Sequence, residues 1–346
     1  VLAGRDVGIE DAEAFLNPTL RNLMPQPSAF RDMEKGAERL AAAIRSGEKI
    51  GIISDYDVDG VSSAALMVRF LRAVGSDARV HIPDRLTEGY GPSPAAFRKI
   101  RDGGAELVVT LDCGAAAYDA IASAGEIGLE VVVIDHHLMR EDPPAAAAVV
   151  NPNRPGCQSG QGVLAAAGVT FVLLTALNRE ARKRGLFTDE RPQPDPRQWL
   201  DLVALGEVCD VTQLVGFNRA LTALGLRTMS AWANPGLNAL FEVGKGSGEP
   251  SVFHAGFILG PRINAGGRVG RGAGVRVAGG SGPDRRDAGR APDGAERLQL
   301  RAALRGRRDP GPRRRVHLHP RVSPGAVRSR PVTGLRPLPH NVHSRV

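Results

Sequence analysis

Three carboxylates at alternate positions, Asp55, Asp57 and Asp59, follow a short apolar run and precede a glycine (Ile50-Gly51-Ile52-Ile53-Ser54-Asp55-Tyr56-Asp57-Val58-Asp59-Gly60). Like charges this close repel one another and resist burial unless a cation neutralises them. Hard oxygen ligands at this density suit Mg²⁺ or Mn²⁺. Two other readings fit the stretch. An EF-hand loop shares the D-x-D-x-D-G pattern, but its twelfth position, a bidentate Glu, is Leu66 here, and a helix rather than a strand should precede it. A solvated acidic turn is the other.

The elements that must position these acids follow from periodicity. Residues 10–15 and 33–45 have apolar residues at helical spacing, the second run with Asp32 as its N-cap. Strands and helices then alternate: strand 49–54, helix 61–74, strand 78–83, helix 93–102 capped by Ser93, strand 106–111, helix 115–127 and strand 130–134, with a further strand at 147–150. Continuous Val/Ile runs in βα alternation predict an α/β fold, a parallel sheet covered on both faces. Beyond the turn-rich joint Asn151-Pro152-Asn153-Arg154-Pro155-Gly156 the pattern becomes mainly helical, at 164–184, 196–208 and 218–232. Residues 251–260 read as a strand or a short helix.

In a parallel sheet, ligands gather beyond the carboxyl ends of the strands. Three strands deliver metal-type ligands there: the first ends in Asp55, Asp57 and Asp59, the third in Asp112 (Leu111-Asp112-Cys113-Gly114), the fourth in Asp135-His136-His137. Taken singly, Asp112 suits a helix N-cap, and the histidine pair suits ordinary surface or hydrogen-bonded residues. Arrival at one edge of one sheet favours a joint cation site. Tyr90, in a Gly-flanked loop, suits stacking on a base or burial as a loop tyrosine.

Length and composition bound the rest. A chain of 346 residues has room for two domains and a sizeable core. It has no run of eighteen apolar residues and no basic-then-apolar opening segment. The opening Val-Leu-Ala lacks Met, which suggests a fragment. Cys113, Cys157 and Cys209 are odd in number and form no CxxC pair, so a reducing cytoplasm is expected. The net charge of +8 is an average over unlike parts. Residues 271–346 carry 18 Arg, no Lys and 5 acids, whereas residues 1–270 carry 27 basic and 32 acidic residues. After Ile263 there is no Ile, and after Phe257 no aromatic residue. Such a tail cannot bury a core. It reads as a disordered basic arm that could bind nucleic acid, or as the product of a frameshift in a GC-rich coding sequence.

The ordered set Asp55–Gly60, Leu111–Gly114 and Ile134–His137 resembles the DHH phosphoesterase superfamily, and within it the RecJ family of single-strand-specific 5′→3′ DNA exonucleases. Phe15-Leu16-Asn17-Pro18, Glu88-Gly89-Tyr90-Gly91, Asn151-Pro152-Asn153, Asp201-Leu202-Val203-Ala204-Leu205-Gly206 and Gly260-Pro261-Arg262-Ile263-Asn264-Ala265-Gly266-Gly267-Arg268 carry the same resemblance. It covers about residues 1–270. It implies a helical leader (1–45), a catalytic domain (46–270), and a tail (271–346) in place of most of a second domain that closes over the strand. It implies two divalent cations, Mn²⁺ or Mg²⁺. Asp57 and Asp59 would each hold one ion, with Asp55 in support and Asp112 bridging. His136 and Asp210 would complete the set, although Asp210 by itself suits a surface acid at a helix end. His137, Arg262 and Arg268 would meet the phosphate, the two arginines from a glycine-rich loop; by themselves both suit ordinary surface charge. Tyr90 and Asn264 would contact the strand. Such a pair of ions clamps the attacking and departing oxygens of a phosphodiester. Single-stranded DNA is the implied substrate, a helicase and a single-strand-binding protein the implied partners, a cytoplasmic monomer the implied state.

Departures from the family pattern are Ser54 for a glycine, Cys209 for a small residue, and a loose glycine-valine segment at 165–168. With the abnormal tail, they predict weak processive activity and poor solubility. A phosphatase for short oligonucleotides or 3′-phosphoadenosine 5′-phosphate, and a catalytically dead nucleic-acid scaffold, are the competing functions. A dinucleotide-binding dehydrogenase is excluded, since no G-x-G-x-x-G follows the first strand.

Overall fold

The computed structural model describes residues 7–268, together with residues 2 and 4, with side chains as far as residue 266. The expected tail at 271–346 lies outside the described residues. In chain order the elements are α1 (Ala12–Leu16), α2 (Leu20–Leu23), α3 (Met33–Ser46), β1 (Ile50–Ser54), α4 (Val58–Ala73), β2 (Ala78–His81), α5 (Pro94–Asp102), β3 (Leu107–Leu111), α6 (Tyr118–Glu126), β4 (Glu130–Ile134), β5 (Ala148–Val150), α7 (Ala166–Lys183), α8 (Leu200–Cys209), α9 (Gly216–Met229), α10 (Pro235–Val243) and α11 (Gly260–Arg268).

The five strands form one sheet in the order β2-β1-β3-β4-β5, parallel throughout. β1, β3 and β5 are buried along their whole length, and β4 at all but Glu130, because both faces are covered there, whereas the edge strand β2 is only part-buried. Ile50, Ile52, Val109, Leu111, Val132 and Ile134 join the core with α3, α4, α7 and α8. Their neighbours Ile53, Val108, Val131 and Val133 face the opposite way, onto Phe97 and Ile100 of α5 and Ile121 of α6. Each such side chain contributes about 1.5–3 kcal/mol on burial. Gly51 admits α5: a Cβ there would meet Ile100 Cγ2 at 2.5 Å.

Register decides where chemistry can occur. Ser54 pairs with Leu111, Leu111 with Ile134, and Ile134 with Val150. The next residues, Asp55, Asp112, Asp135 and Asn151, therefore leave the sheet in one row. The ladder still holds three of them, through Asp55 N–H to Leu111 O, Asp112 N–H to Ile134 O and Asp135 N–H to Val150 O.

Several expectations are corrected. Asp32 occupies the N-cap position of α3 but caps nothing with its side chain. Its backbone is left-handed (φ 60°), which turns the carboxylate to Val149 N–H (3.2 Å) and Arg154 Nη1 (2.5 Å). The helix expected from residue 115 begins at Tyr118, since the chain must first turn away from the sheet at Gly114 (φ 111°). Residues 254–259 form a π-helical turn, and 260–268 continue as α11, so the expected glycine-rich loop is helical. Buried Leu259 and Ile263 anchor that segment to the core despite its weak intrinsic propensity. No helix among the described residues is long and apolar enough to cross a membrane.

Candidate metal centre

Beyond β1 the chain turns sharply into α4, whose N-cap is Asp57, with Oδ1 accepting Gly60 N–H at 3.0 Å. The preceding strand and this tight entry exclude the EF-hand reading. Gly60 is required sterically, because a Cβ there would lie 2.5 Å from Asp55 O. Ser54 is buried, and its hydroxyl donates to Gly60 O at 2.6 Å, so the departure from glycine ties the acidic turn to its strand.

Asp59, in the first turn of α4, is 1% exposed. Its two oxygens accept the N–H groups of Ala166 (2.6 Å) and Ala167 (2.9 Å), which open α7. The helix terminus favours a carboxylate there, yet burial and the charges of Asp57 and Asp210 push its pKa well above the usual range. Gly206 of α8 lies against this group: a Cβ would stand 2.6 Å from Ala167 Cβ and 2.7 Å from Asp59 Oδ1.

Asp112 emerges from β3 in the left-handed region (φ 60°) and is 1% exposed. Since α6 starts five residues after Cys113, with Ala117 as its N-cap, Asp112 caps no helix. Burial, then Asp59 and Asp57, push its pKa far up. Asp55 is pushed up to about 7 by burial and by Asp57, and Asp210, at the end of α8, to about 6 by burial and by Asp57.

His136 Nε2 points into this acidic group, 3.2 Å from Asp112 Oδ1, 3.7 Å from Asp210 Oδ2 and 3.8 Å from Asp59 Oδ2. Burial lowers its pKa, so the ring offers a lone pair, although the Leu164 backbone acts in the opposite direction. His137 turns outward, its Nδ1 bonded to Asp135 Oδ1 at 2.8 Å. That bond raises its pKa.

The donors fall into three-residue groups whose ligand atoms lie within 4.8 Å of one another: Asp59, His136 and Asp210; Asp55, Asp57 and Asp112; and Asp112, His136 and His137. The first two share no residue. Buried Asp55 Oδ1, Asp112 Oδ1 and His136 Nε2 have no hydrogen-bond partner. Orphaned donors among mutually repelling acids fit divalent cations, which remove both penalties at once.

Residues 49–206 match the DHH family, N-terminal domain. The chain carries a DHH domain. Among curated proteins it is 38% identical over 267 residues to the single-stranded-DNA-specific exonuclease RecJ of Escherichia coli, spanning 76% of this chain and 46% of that protein. It is 34% identical to RecJ of Thermus thermophilus, spanning 78% of this chain and 39% of that one. The chain thus spans under half the length of these relatives. Among solved structures it resembles exonuclease RecJ bound to manganese (33% identity, TM-score 0.64, 80% of this chain and 65% of that one). It also resembles Thermus thermophilus RecJ in complex with Mn²⁺ (30% identity, TM-score 0.63, 88% and 42%).

Of the sequence-derived site residues, the DHH domain brings Asp55, Asp57, Asp59, Asp112 and His136 together with Asp210, and places His137 at their edge. Tyr90 donates its hydroxyl to Asp112 O at 3.2 Å, its ring edge-on to Tyr56 and His137. Its ring borders a cleft of about 650 Å³ lined also by Gly114, Tyr118, His137 and Arg140. Arg262 does not join the acidic group in any described contact: Nη1 donates to Ile258 O at 2.6 Å and the guanidinium lies against Gly244. The helical path of its segment directs it there. Asn264 is half-buried on the same helix, and the Arg268 side chain lies outside the described residues.

One strand-end acid takes a different part from the expected one, and one acid was missed as a site-builder. Asp135, expected with the histidines as a metal-type ligand, joins none of the three donor groups among the described residues; it accepts the N–H groups of Ala115, His136 and His137 and orients the His137 ring, which lowers its own pKa. The sequence signal was its place directly before the histidines. Glu207, fully buried, accepts Ala165 N–H (3.0 Å) and Thr212 Oγ1 (3.1 Å) beside Asp59. Only its position three residues before Asp210 marks it.

Proposed function

We propose that this chain is a metal-dependent phosphodiesterase that digests single-stranded DNA, the substrate named for its RecJ relatives, and does so from the 5′ end. The supporting observation is the pair of disjoint donor sets, Asp59/His136/Asp210 and Asp55/Asp57/Asp112, gathered from the strand ends, the start of α4 and the end of α8, with partnerless buried ligand atoms. Two Mn²⁺ or Mg²⁺ ions held there would supply positive charge to a phosphodiester and would ease deprotonation of the attacking water. Asp112 reaches both sets and holds them together.

The remaining residues bind and orient. His137, fixed through Nδ1 by Asp135, presents its other ring nitrogen to the open side, where it donates to a non-bridging phosphate oxygen as charge builds on it. Tyr90 and Tyr118 flank a cleft of nucleotide size for the unit next to the cleaved bond, and Arg140 adds a cation over the Tyr118 ring at 5.1 Å. Hydrolysis adds water across one P–O bond: oxygen bonds to phosphorus, and the departing sugar oxygen takes a proton.

The domain reading is a leader at 1–45 and a catalytic unit at 46–270. The partners are those the family resemblance implies, a helicase and a single-strand-binding protein, around a cytoplasmic monomer. The test is digestion of 5′-phosphorylated single strands with Mn²⁺, against duplexes and dinucleotides. Loss of long single strands supports the reading. Turnover of dinucleotides alone favours a phosphatase, and Mn²⁺ binding without hydrolysis favours a scaffold.

A further inference from the structure

Asn151-Pro152-Asn153 has no part in the chemistry above, yet both asparagines turn back on the histidine pair. Asn151 Nδ2 donates to His137 O at 2.8 Å, and Asn153 Nδ2 donates to His136 O at 2.6 Å. The two are joined through Asn151 Oδ1, which accepts Asn153 N–H at 2.8 Å in an Asx turn. Asn153 reaches further. The same amide nitrogen donates to Gly162 O at 3.1 Å. Two residues on, the Leu164 backbone lies close enough to the His136 ring to bear on its pKa. One amide thus spans the backbone of His136 and the loop beside its imidazole.

The approach is close. A Cβ on Gly162 would stand 2.5 Å from Asn153 Oδ1. Gly162 is not in the left-handed region, so space rather than backbone conformation calls for glycine there. A proline between the asparagines fixes one backbone angle of the bracket.

We propose that Asn153 is a positioning residue for the metal centre, bridging the His136 and Gly162 carbonyls so that His136 Nε2 stays aimed at Asp59, Asp112 and Asp210, with Gly162 bare to admit it. The inference rests on the metal-centre reading above. Outer partners that orient a ligating histidine are worth about 10–100-fold in metal affinity.

The test is calorimetric titration of Mn²⁺ into the full chain as wild type, Asn153→Ala, Asn153→Asp, Gly162→Ala and the Asn153→Ala/Gly162→Ala double variant. The metal-free unfolding midpoint of each is measured beside it. Each single variant should bind Mn²⁺ about tenfold or more weakly. Asn153→Asp keeps the shape but loses the donor, and should lose as much as Asn153→Ala. The double variant should bind no more weakly than Asn153→Ala, because the added methyl then meets no amide. A purely structural role would shift the midpoints and leave affinity within about twofold of wild type, and that result overturns the proposal. So would losses that multiply independently in the double variant. Should Gly162→Ala not fold, Asn153→Asp against wild type decides. A wild type that binds no Mn²⁺ would overturn the metal-centre reading first, and this one with it.

Discussion

The Asp135 carboxylate holds the His137 ring through a 2.8 Å bond to Nδ1, and at the same time accepts the backbone N–H of His137 at 3.1 Å. One buried acid thereby sets both the backbone and the ring of the residue that faces the open side. Asp135→Asn offers an amide in its place and favours the wrong ring tautomer. Hydrolysis of single strands should fall about 10–100-fold, with Mn²⁺ affinity changed far less. Steady-state rates beside Mn²⁺ titration check this; equal losses in both would assign Asp135 to the ions instead.

Asp112 combines a partnerless buried oxygen with a left-handed backbone. Asparagine tolerates that backbone and removes the charge. Asp112→Asn should therefore raise the metal-free unfolding midpoint at pH 8 by several degrees, a change of about 1–2 kcal/mol. It should also abolish hydrolysis. A lowered midpoint would show that the acid is structurally satisfied without a cation.

The metal-free protein should become more stable as pH falls from 8 towards 4. Asp55 and Asp210 have folded pKa values of about 7 and about 6 against an ordinary 3.8, and Asp59 and Asp112 are raised as well. In that window the folded chain binds protons that the unfolded chain does not, so stability declines as pH rises through the folded values. His137, also raised, adds in the same direction; His136, lowered, opposes it. Saturating Mn²⁺ should flatten or reverse the slope. Chemical denaturation across pH, with and without Mn²⁺, reads both.

Gly206→Ala should destabilise the fold by about 1–3 kcal/mol through overpacking. It should also weaken Mn²⁺ binding, because its methyl would displace Asp59 and Ala167 together. Unchanged affinity in a folded Gly206→Ala protein would detach Asp59 from the ions.

Much of the framework was legible because strand periodicity and register are local. Each strand from Ile50–Ser54 to Ala148–Val150 was anticipated to within two residues, and the row of acids followed from the parallel order. What stayed hidden depended on partners distant in sequence. Asp32 looks like a cap until Arg154, 122 residues away, claims its carboxylate. Asp59 looks like a ligand only, although it also caps α7, 107 residues on. The helical path of Gly260–Arg268 contradicts its glycine content, and it withdraws Arg262 towards Ile258. α10 escaped notice because its short apolar stretch follows a turn at Asn234, which caps it.

Anomalous diffraction from crystals grown with Mn²⁺ tests the metal centre most directly. Two peaks are expected, one at about 2.1 Å from ligand atoms of Asp59, His136 and Asp210, the other at a similar distance from Asp55, Asp57 and Asp112. Peaks elsewhere on the chain, or an acidic row that closes on its own protons with no ion between, would contradict it.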